Sequence, residues 1–189
     1  KEFNTNYLSK IKKSNLHKGP PPAHIEFDMH GSCSRRCAFC PRVDEKKWPN
    51  LEETFAVSLY LKIINELRDA WDYSGRISWS GYSEPTMHKD VFRLIKLTKE
   101  ILPKCTLDIV SNGDFLDKEV IQKLYNCGLD HLRVSIYTNN KTTQKFIKIR
   151  EELKINPEVL FIRERNKGRK NDFGLMLNNH KIFFANIFK

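Results

Sequence analysis

The sequence predicts an α/β protein built on a parallel sheet, and two observations carry that prediction. Segments with the apolar alternation of strands take turns along the chain with segments whose apolar residues recur at helical spacing. Polar motifs rich in cysteine, glycine or asparagine directly follow three of the strand-like segments. Strands joined in this way form either an open doubly wound sheet or a sheet curled toward a barrel, and periodicity does not separate the two. In both, chemistry gathers at the strand ends.

The elements follow in order from the proline stretch at 20–22. Strands are predicted at 23–30, 76–80, 106–111, 131–137 and 158–163. Helices are predicted between them at 51–71, 88–102, 117–127 and 142–153. Asn50 is the expected N-cap of the first helix, with Glu53 behind it, while Pro103 and Gly128 end the second and third helices.

Composition and charge limit the classes of protein to which the chain can belong. The 189 residues are 40% hydrophobic and 30% charged, which is typical of a folded domain rather than a disordered tail. No apolar run approaches the roughly 20 residues of a membrane helix, and no secretory signal opens the chain, so we expect a cytoplasmic protein without a membrane partner. The net charge of +10 is concentrated near the two ends without regular aromatic interleaving, which favours a solvated basic surface over nucleic-acid binding.

Length favours one domain. We expect a basic extension over residues 1–21, a core over 22–165 and an irregular tail over 166–189.

Cysteine spacing gives the strongest functional signal. Cys33, Cys37 and Cys40 form a C-x-x-x-C-x-x-C loop after the first strand, too closely spaced for comfortable mutual disulfides. Three thiolates can hold three irons of a cubane cluster and leave the fourth iron open to a small ligand. The alternatives are a zinc site completed by His30 and a set of unrelated thiols. Cys105 and Cys127 are expected to be small buried hydrophobes.

The cysteine loop, with Phe39 just before its last cysteine, closely resembles the hallmark of the radical S-adenosylmethionine superfamily. Further motifs at the predicted strand ends are similar to the superfamily's cofactor-binding segments. Gly81-Tyr82-Ser83-Glu84-Pro85 resembles its Gly-Gly-Glu-Pro segment without the second glycine, and Ser111-Asn112-Gly113 resembles a Ser/Thr-Asn-Gly turn. Ser135, and more weakly Arg133, match a strand position that faces the cofactor.

The resemblance covers about residues 22–165 and implies a partial (β/α)6 TIM-like barrel. It implies that Cys33, Cys37 and Cys40 bind a 4Fe-4S cluster, whereas Phe39, Gly81, Glu84, Ser111, Asn112 and Ser135 contact S-adenosylmethionine. The Cys-Pro-Arg at the end of the cysteine loop and the tail segment NDFGLMLNN are similar to members with a SPASM extension. Since that extension does not follow, we expect a chain truncated before it, with a barrel incomplete at the C-terminus.

The implied function is a radical S-adenosylmethionine enzyme. Its cluster, reduced by an external electron donor, cleaves the cofactor to a 5'-deoxyadenosyl radical that abstracts hydrogen from a substrate. We expect a peptide substrate, because many extension-bearing members modify peptides and the basic surface suits an acidic leader, with a small molecule in biosynthesis as the alternative. The alternatives are a non-catalytic iron-sulfur or zinc protein that binds a partner or nucleic acid, and an inert truncated chain.

Overall fold

Five strands and four helices alternate in the computed structural model, which describes residues 19–165. The strands are β1 (His24–Phe27), β2 (Arg76–Trp79), β3 (Thr106–Ser111), β4 (His131–Ile136) and β5 (Leu160–Glu164). The helices are α1 (Val57–Trp71), α2 (Val91–Ile101), α3 (Lys118–Asn126) and α4 (Asn140–Glu152). The predicted tail, and all of the predicted basic extension except residues 19–21, lie outside the described residues.

The strand order identifies the kind of α/β sheet. All four pairings are parallel, and the strands lie in the order β1-β2-β3-β4-β5. A doubly wound sheet requires a reversal of strand order, whereas right-handed crossovers in an unbroken order put every helix on one side. The fold is therefore the singly wound kind that forms a barrel wall, as the resemblance implied.

The core lies between this sheet and its helices. Alternate strand residues face the helices and are fully buried: Ile77, Leu107, Ile109, Leu132, Val134 and Leu160. Behind them, Tyr60 of α1 hydrogen bonds Thr98 of α2 at 2.8 Å and accepts from the Trp79 indole at 3.2 Å. These contacts leave the other sheet face available for a site.

The first helix begins later than predicted, and Asn50 is not its N-cap. The segment before α1 pairs instead with the chain after β1, where Gly31 N donates to Glu53 O and Phe55 N donates to Met29 O. This tertiary pairing outweighs the local capping signal, and α1 starts only after Ala56.

The other boundaries deviate less. Asp117, the first residue of the predicted helix, is the N-cap of α3 and accepts from Val120 N at 2.8 Å. Asn139 caps α4, which begins two residues before the predicted start. A turn around Asn156 delays β5 to Leu160. Cys105 is buried in the core, as expected, whereas Cys127 is only partly buried and packs against the core. Over the described range, no helix combines the length and apolar character needed to cross a bilayer.

Candidate active site

A single cavity at the carboxyl ends of the strands collects the three cysteines and all of the predicted cofactor-binding residues except Arg133. Its open space, including the solvent-facing mouth, is about 880 Å³. The predicted residues that line it are Cys33, Cys37, Phe39, Cys40, Gly81, Glu84, Ser111, Asn112 and Ser135. They come from four different strand ends, so the sheet brings together motifs that are far apart in sequence. The binding role of each residue stays a prediction.

The cysteine loop is fixed at both ends by backbone contacts. At its start, the Asn50 side chain accepts from Cys33 N at 3.2 Å and donates to Cys33 O at 3.1 Å. At its end, Cys40 N donates to Cys37 O at 2.9 Å, and a 3-10 turn follows at Pro41–Val43. All three thiols are half-buried along the cavity wall.

The electrostatics of these thiols suit a cationic group. Burial raises the pKa of Cys33 and of Cys37, and for Cys37 the neighbouring Cys33 and Cys40 raise it further. The neighbouring thiols therefore oppose the ionisation of Cys37. A bound metal centre would offset that opposition and hold them as thiolates.

The donor set fits a cluster better than one zinc ion. Within residues 19–165, no three Cys, His, Asp or Glu side chains are gathered tightly enough to hold a single ion. His30, the proposed fourth zinc ligand, accepts from Ser32 N at 2.9 Å and lines a different cavity beside Trp48. Thiols spread around a cavity suit a cubane, whose irons are separate attachment points.

Glu84 joins the second and third strand ends. Its carboxylate accepts from Thr86 N at 3.2 Å, from Thr86 Oγ1 at 2.6 Å and from Asn112 N at 2.7 Å. Only 1% of the residue is exposed, and this burial raises the pKa of its carboxyl group. Glu84 therefore shapes the cavity wall in addition to offering it a carboxylate.

Gly81 has a backbone conformation that explains its place in the motif. Its φ is +111°, and a Cβ there would lie 3.1 Å from the Asp28 carboxylate. That carboxylate accepts from Tyr82 N at 3.2 Å and from the Ser83 hydroxyl. Where the similar family segment has its second glycine, this chain has Tyr82 and Ser83, whose polar groups bind Asp28 just after β1.

Asn112 faces the cysteine loop. Its amide nitrogen donates to Ser34 Oγ at 2.9 Å and to Cys33 Sγ at 3.6 Å. Ser111 Oγ accepts a hydrogen bond from Gly113 N at 3.0 Å. Both residues still line the cavity, but their side chains bind protein groups.

Sequence patterns missed two important residues of the cavity wall. Arg35 donates to both oxygens of Asp114 and lies over the Tyr137 ring, 5.6 Å from its centroid. The Tyr137 ring in turn lies 5.4 Å from the Phe39 ring. No spacing rule joins Arg35 to Asp114, so only the fold reveals the pair.

Arg133, a candidate from the sequence, lies away from this cavity and pairs with Asp108 at 3.8 Å.

Comparisons with known proteins agree with this geometry. The family model described as "Radical SAM superfamily" matches residues 29–183. The chain is 31% identical over 117 residues to the S-adenosyl-L-methionine-dependent 2-deoxy-scyllo-inosamine dehydrogenase of Niallia circulans, which spans 62% of this chain and 46% of that enzyme. The chain thus covers less than half of this relative's length.

Two further matches are informative. A crystal structure of BtrN in complex with AdoMet and 2-DOIA superposes with a TM-score of 0.67 at 24% identity, covering 79% of this chain and 59% of that one. The GTPase Obg of Brachyspira hyodysenteriae (strain ATCC 49526 / WA1) is 33% identical over 104 residues, 50% of this chain but 14% of that protein. The present sequence contains no G-x-x-x-x-G-K-[ST] phosphate-binding loop.

Proposed function

Because this chain belongs to the radical S-adenosylmethionine superfamily, whose model matches residues 29–183, we propose that it is an enzyme that binds a 4Fe-4S cluster and S-adenosylmethionine in the cavity at the strand ends. Cys33, Cys37 and Cys40 are the cluster ligands. The remaining predicted wall residues contact the cofactor.

The observation that carries this proposal is the convergence of three half-buried thiols and Glu84 on one cavity. Three thiolates leave one iron of a cubane without a protein ligand. The space beside it is bordered by backbone and side-chain groups of Gly81, Ser111 and Ser135. An open iron and an adjoining polar cavity together suit a small ligand with amino and carboxylate groups.

When bound and reduced, the cluster supplies one electron that cleaves S-adenosylmethionine to methionine and a 5'-deoxyadenosyl radical able to abstract hydrogen. The protein's own residues bind and orient the cofactor and exclude water. Glu84 offers its carboxylate to the ammonium group, while Phe39 and Tyr137 provide an aromatic wall. A dry, fixed wall protects a reactive radical from solvent.

The favoured substrate is a small hydroxylated molecule. The Niallia relative at 31% identity is named as a 2-deoxy-scyllo-inosamine dehydrogenase, and this favours a small molecule over the peptide expected from the sequence. Since the chain spans less than half of that enzyme, the exact substrate is not assigned. An external electron donor and a cytoplasmic location belong to the same proposal.

Formation of 5'-deoxyadenosine tests the reaction class. The full chain is reconstituted anaerobically with iron and sulfide, reduced with dithionite and incubated with S-adenosylmethionine. We expect iron and sulfide in the protein and 5'-deoxyadenosine among the products. The Cys37→Ala variant should lose both, whereas the Cys127→Ser variant, changed at a thiol outside the cavity, should retain both.

Other outcomes would contradict the proposal in distinct ways. A colourless protein with one zinc per chain would support the zinc-binding alternative. A stable cluster without 5'-deoxyadenosine would support a non-catalytic iron-sulfur protein. Equal loss of iron in the Cys37→Ala and Cys127→Ser variants would show that the loop is not the specific cluster site.

A further inference from the structure

Arg42 is a buried cation in an unusual environment directly after the cysteine loop. Only 4% of it is exposed. Its guanidinium donates to Tyr82 O, to Pro49 O at 3.2 Å and to Asn50 Oδ1 at 3.2 Å. All three acceptors are neutral oxygens. None of the ion pairs formed among residues 19–165 includes Arg42.

Nearby negative charge would further stabilise a buried guanidinium that has hydrogen bonds but no ion pair. Removing such a charge from water is unfavourable unless an opposite charge or hydrogen bonds compensate. Cys40 precedes Arg42 by two residues, and Cys33 is tied to the same Asn50 side chain that accepts from Arg42. A cluster held by three thiolates carries net negative charge, which grows when the cluster is reduced. Asp28 and Glu53 line a neighbouring cavity together with Arg42 but form no ion pair with it among residues 19–165, so the cluster would be a further anion near this guanidinium.

The same guanidinium connects the two halves of the cavity wall. Through Asn50 it supports both backbone groups of Cys33. Through the Tyr82 carbonyl it holds the segment that leads to Glu84, and Glu84 N donates to Ser32 O at 3.1 Å. Arg42 therefore fixes the cysteine loop relative to the turn proposed to bind the cofactor's ammonium group.

We propose that Arg42 is a positioning residue with two separable effects. Its buried charge stabilises the reduced form of the cluster, and its planar fork holds the Tyr82 turn in the geometry that binds S-adenosylmethionine. This inference rests on the proposed function. It assigns a task to a residue that does not line the proposed cofactor cavity.

Two substitutions separate charge from geometry. Arg42→Gln removes the charge, while Arg42→Lys keeps the charge but loses the planar guanidinium that donates to three oxygens. Arg36→Gln is the comparison variant, because Arg36 lies in the same loop, its side chain is 36% exposed and it pairs with Glu45. Its own contact with Arg42 is a hydrogen bond to the backbone carbonyl at 3.2 Å, which both Arg42 substitutions leave in place. The measurements on anaerobically reconstituted full chain are the cluster's reduction potential by spectroelectrochemistry and the S-adenosylmethionine dissociation constant. Wild-type protein that assembles a cluster and forms 5'-deoxyadenosine establishes the proposed function independently.

The charge effect appears in the potential. We expect Arg42→Gln to shift it to more negative values by about four times the shift in Arg36→Gln, since the Coulomb energy at an effective dielectric constant of about 20 is about four times that in water. Arg42→Lys should keep the potential within the shift of the control. Equal shifts in Arg42→Gln and Arg36→Gln would overturn the charge effect.

The fork effect appears in binding. We expect Arg42→Lys to weaken S-adenosylmethionine binding about tenfold while its iron content stays at the wild-type level, because hydrogen bonds from a charged donor are lost. Wild-type affinity in Arg42→Lys would overturn this effect. If Arg42→Gln fails to retain a cluster, Arg42→Lys decides the charge effect: a potential lowered beyond that of Arg36→Gln, despite the retained charge, would overturn it.

Discussion

Two polar clusters occupy opposite ends of the same sheet face, and they differ in how their groups are satisfied. At the amino ends of the strands, Arg76 and Ser78 surround Asp108. At the carboxyl ends lie the three cysteines and the cavity. The faces are the same because Val110 and Ser135, which line the cavity, follow Asp108 and Arg133 by two residues each.

The amino-end cluster places a buried carboxylate beside two arginines. Asp108 Oδ1 accepts from Arg76 Nε at 2.5 Å and from Ser78, which also contacts His24 at 2.7 Å. Asp108 Oδ2 forms no hydrogen bond with the described residues and lies 3.8 Å from Arg133 Nε. At the other end, burial raises the pKa of Cys37, and the neighbouring thiols raise it further. Oppositely charged groups stabilise one another and the fold, whereas like groups gathered in a cavity are suited to an external partner. This division agrees with the placement of chemistry at the carboxyl face of α/β barrels.

The largest effect should come from the amino-end cluster. Asp108→Asn leaves Arg76 and Arg133 without their shared anion, so we expect about 3 kcal/mol loss in the free energy of unfolding. Urea unfolding of the apo chain measures it. Asp69→Asn, which removes an exposed partner of Arg68, should change stability by less than about 1 kcal/mol.

The amount of bound iron provides a second test of the same comparison. Iron bound by folded Asp108→Asn protein should equal the wild-type value, because Asp108 lies away from the thiols. Loss of iron at unchanged stability would mean that the polar side chains at the amino ends of the strands also support the cysteine site.

A smaller effect is expected at Glu84. Glu84→Gln keeps the shape but removes the charge offered to the cofactor's ammonium group, and a charge-assisted hydrogen bond is replaced by a neutral one. We expect S-adenosylmethionine to bind about tenfold more weakly at unchanged iron content. Equilibrium binding to the reconstituted protein measures the change, with exposed Glu100→Gln as the control. Unchanged affinity in Glu84→Gln and Glu84→Ala would exclude Glu84 from cofactor binding.

Most of the fold was predictable because its signals are local. The β3 boundaries and the Asp117 cap follow from residues within one turn of the chain. Asn50 shows the limit, because its local context indicates a helix cap while the structure uses it to hold Cys33. Strand order was equally beyond periodicity. Strand order depends on which strands pair, whereas the alternation of apolar and polar residues shows only which residues share a face of a strand.

The site was predictable where motifs are linear. The cysteine loop and the polar turns follow strand ends, and parallel strands bring their carboxyl ends together, so their meeting in one cavity follows from topology. The contact of Arg42 with Tyr82 and the pair of Arg35 with Asp114 were not predictable, because these partners are distant in sequence. Asn112 was placed correctly, but the direction of its amide toward Ser34 is a property of three-dimensional packing.

The smallest effect concerns the link between Arg35 and Asp114. Arg35 lowers the pKa of Asp114, so the ionised carboxylate is the form that the fold binds. Its stabilisation is present above the ordinary pKa of about 4 and is lost as the pH falls through the lowered value. We expect Asp114→Asn to reduce apo stability by about 1 kcal/mol at pH 7 and by progressively less below about pH 4. Urea unfolding at each pH measures this difference. A double-mutant cycle with Arg35→Gln gives the coupling directly, and a coupling that stays constant down to pH 3 would show that the pair contributes through packing rather than charge.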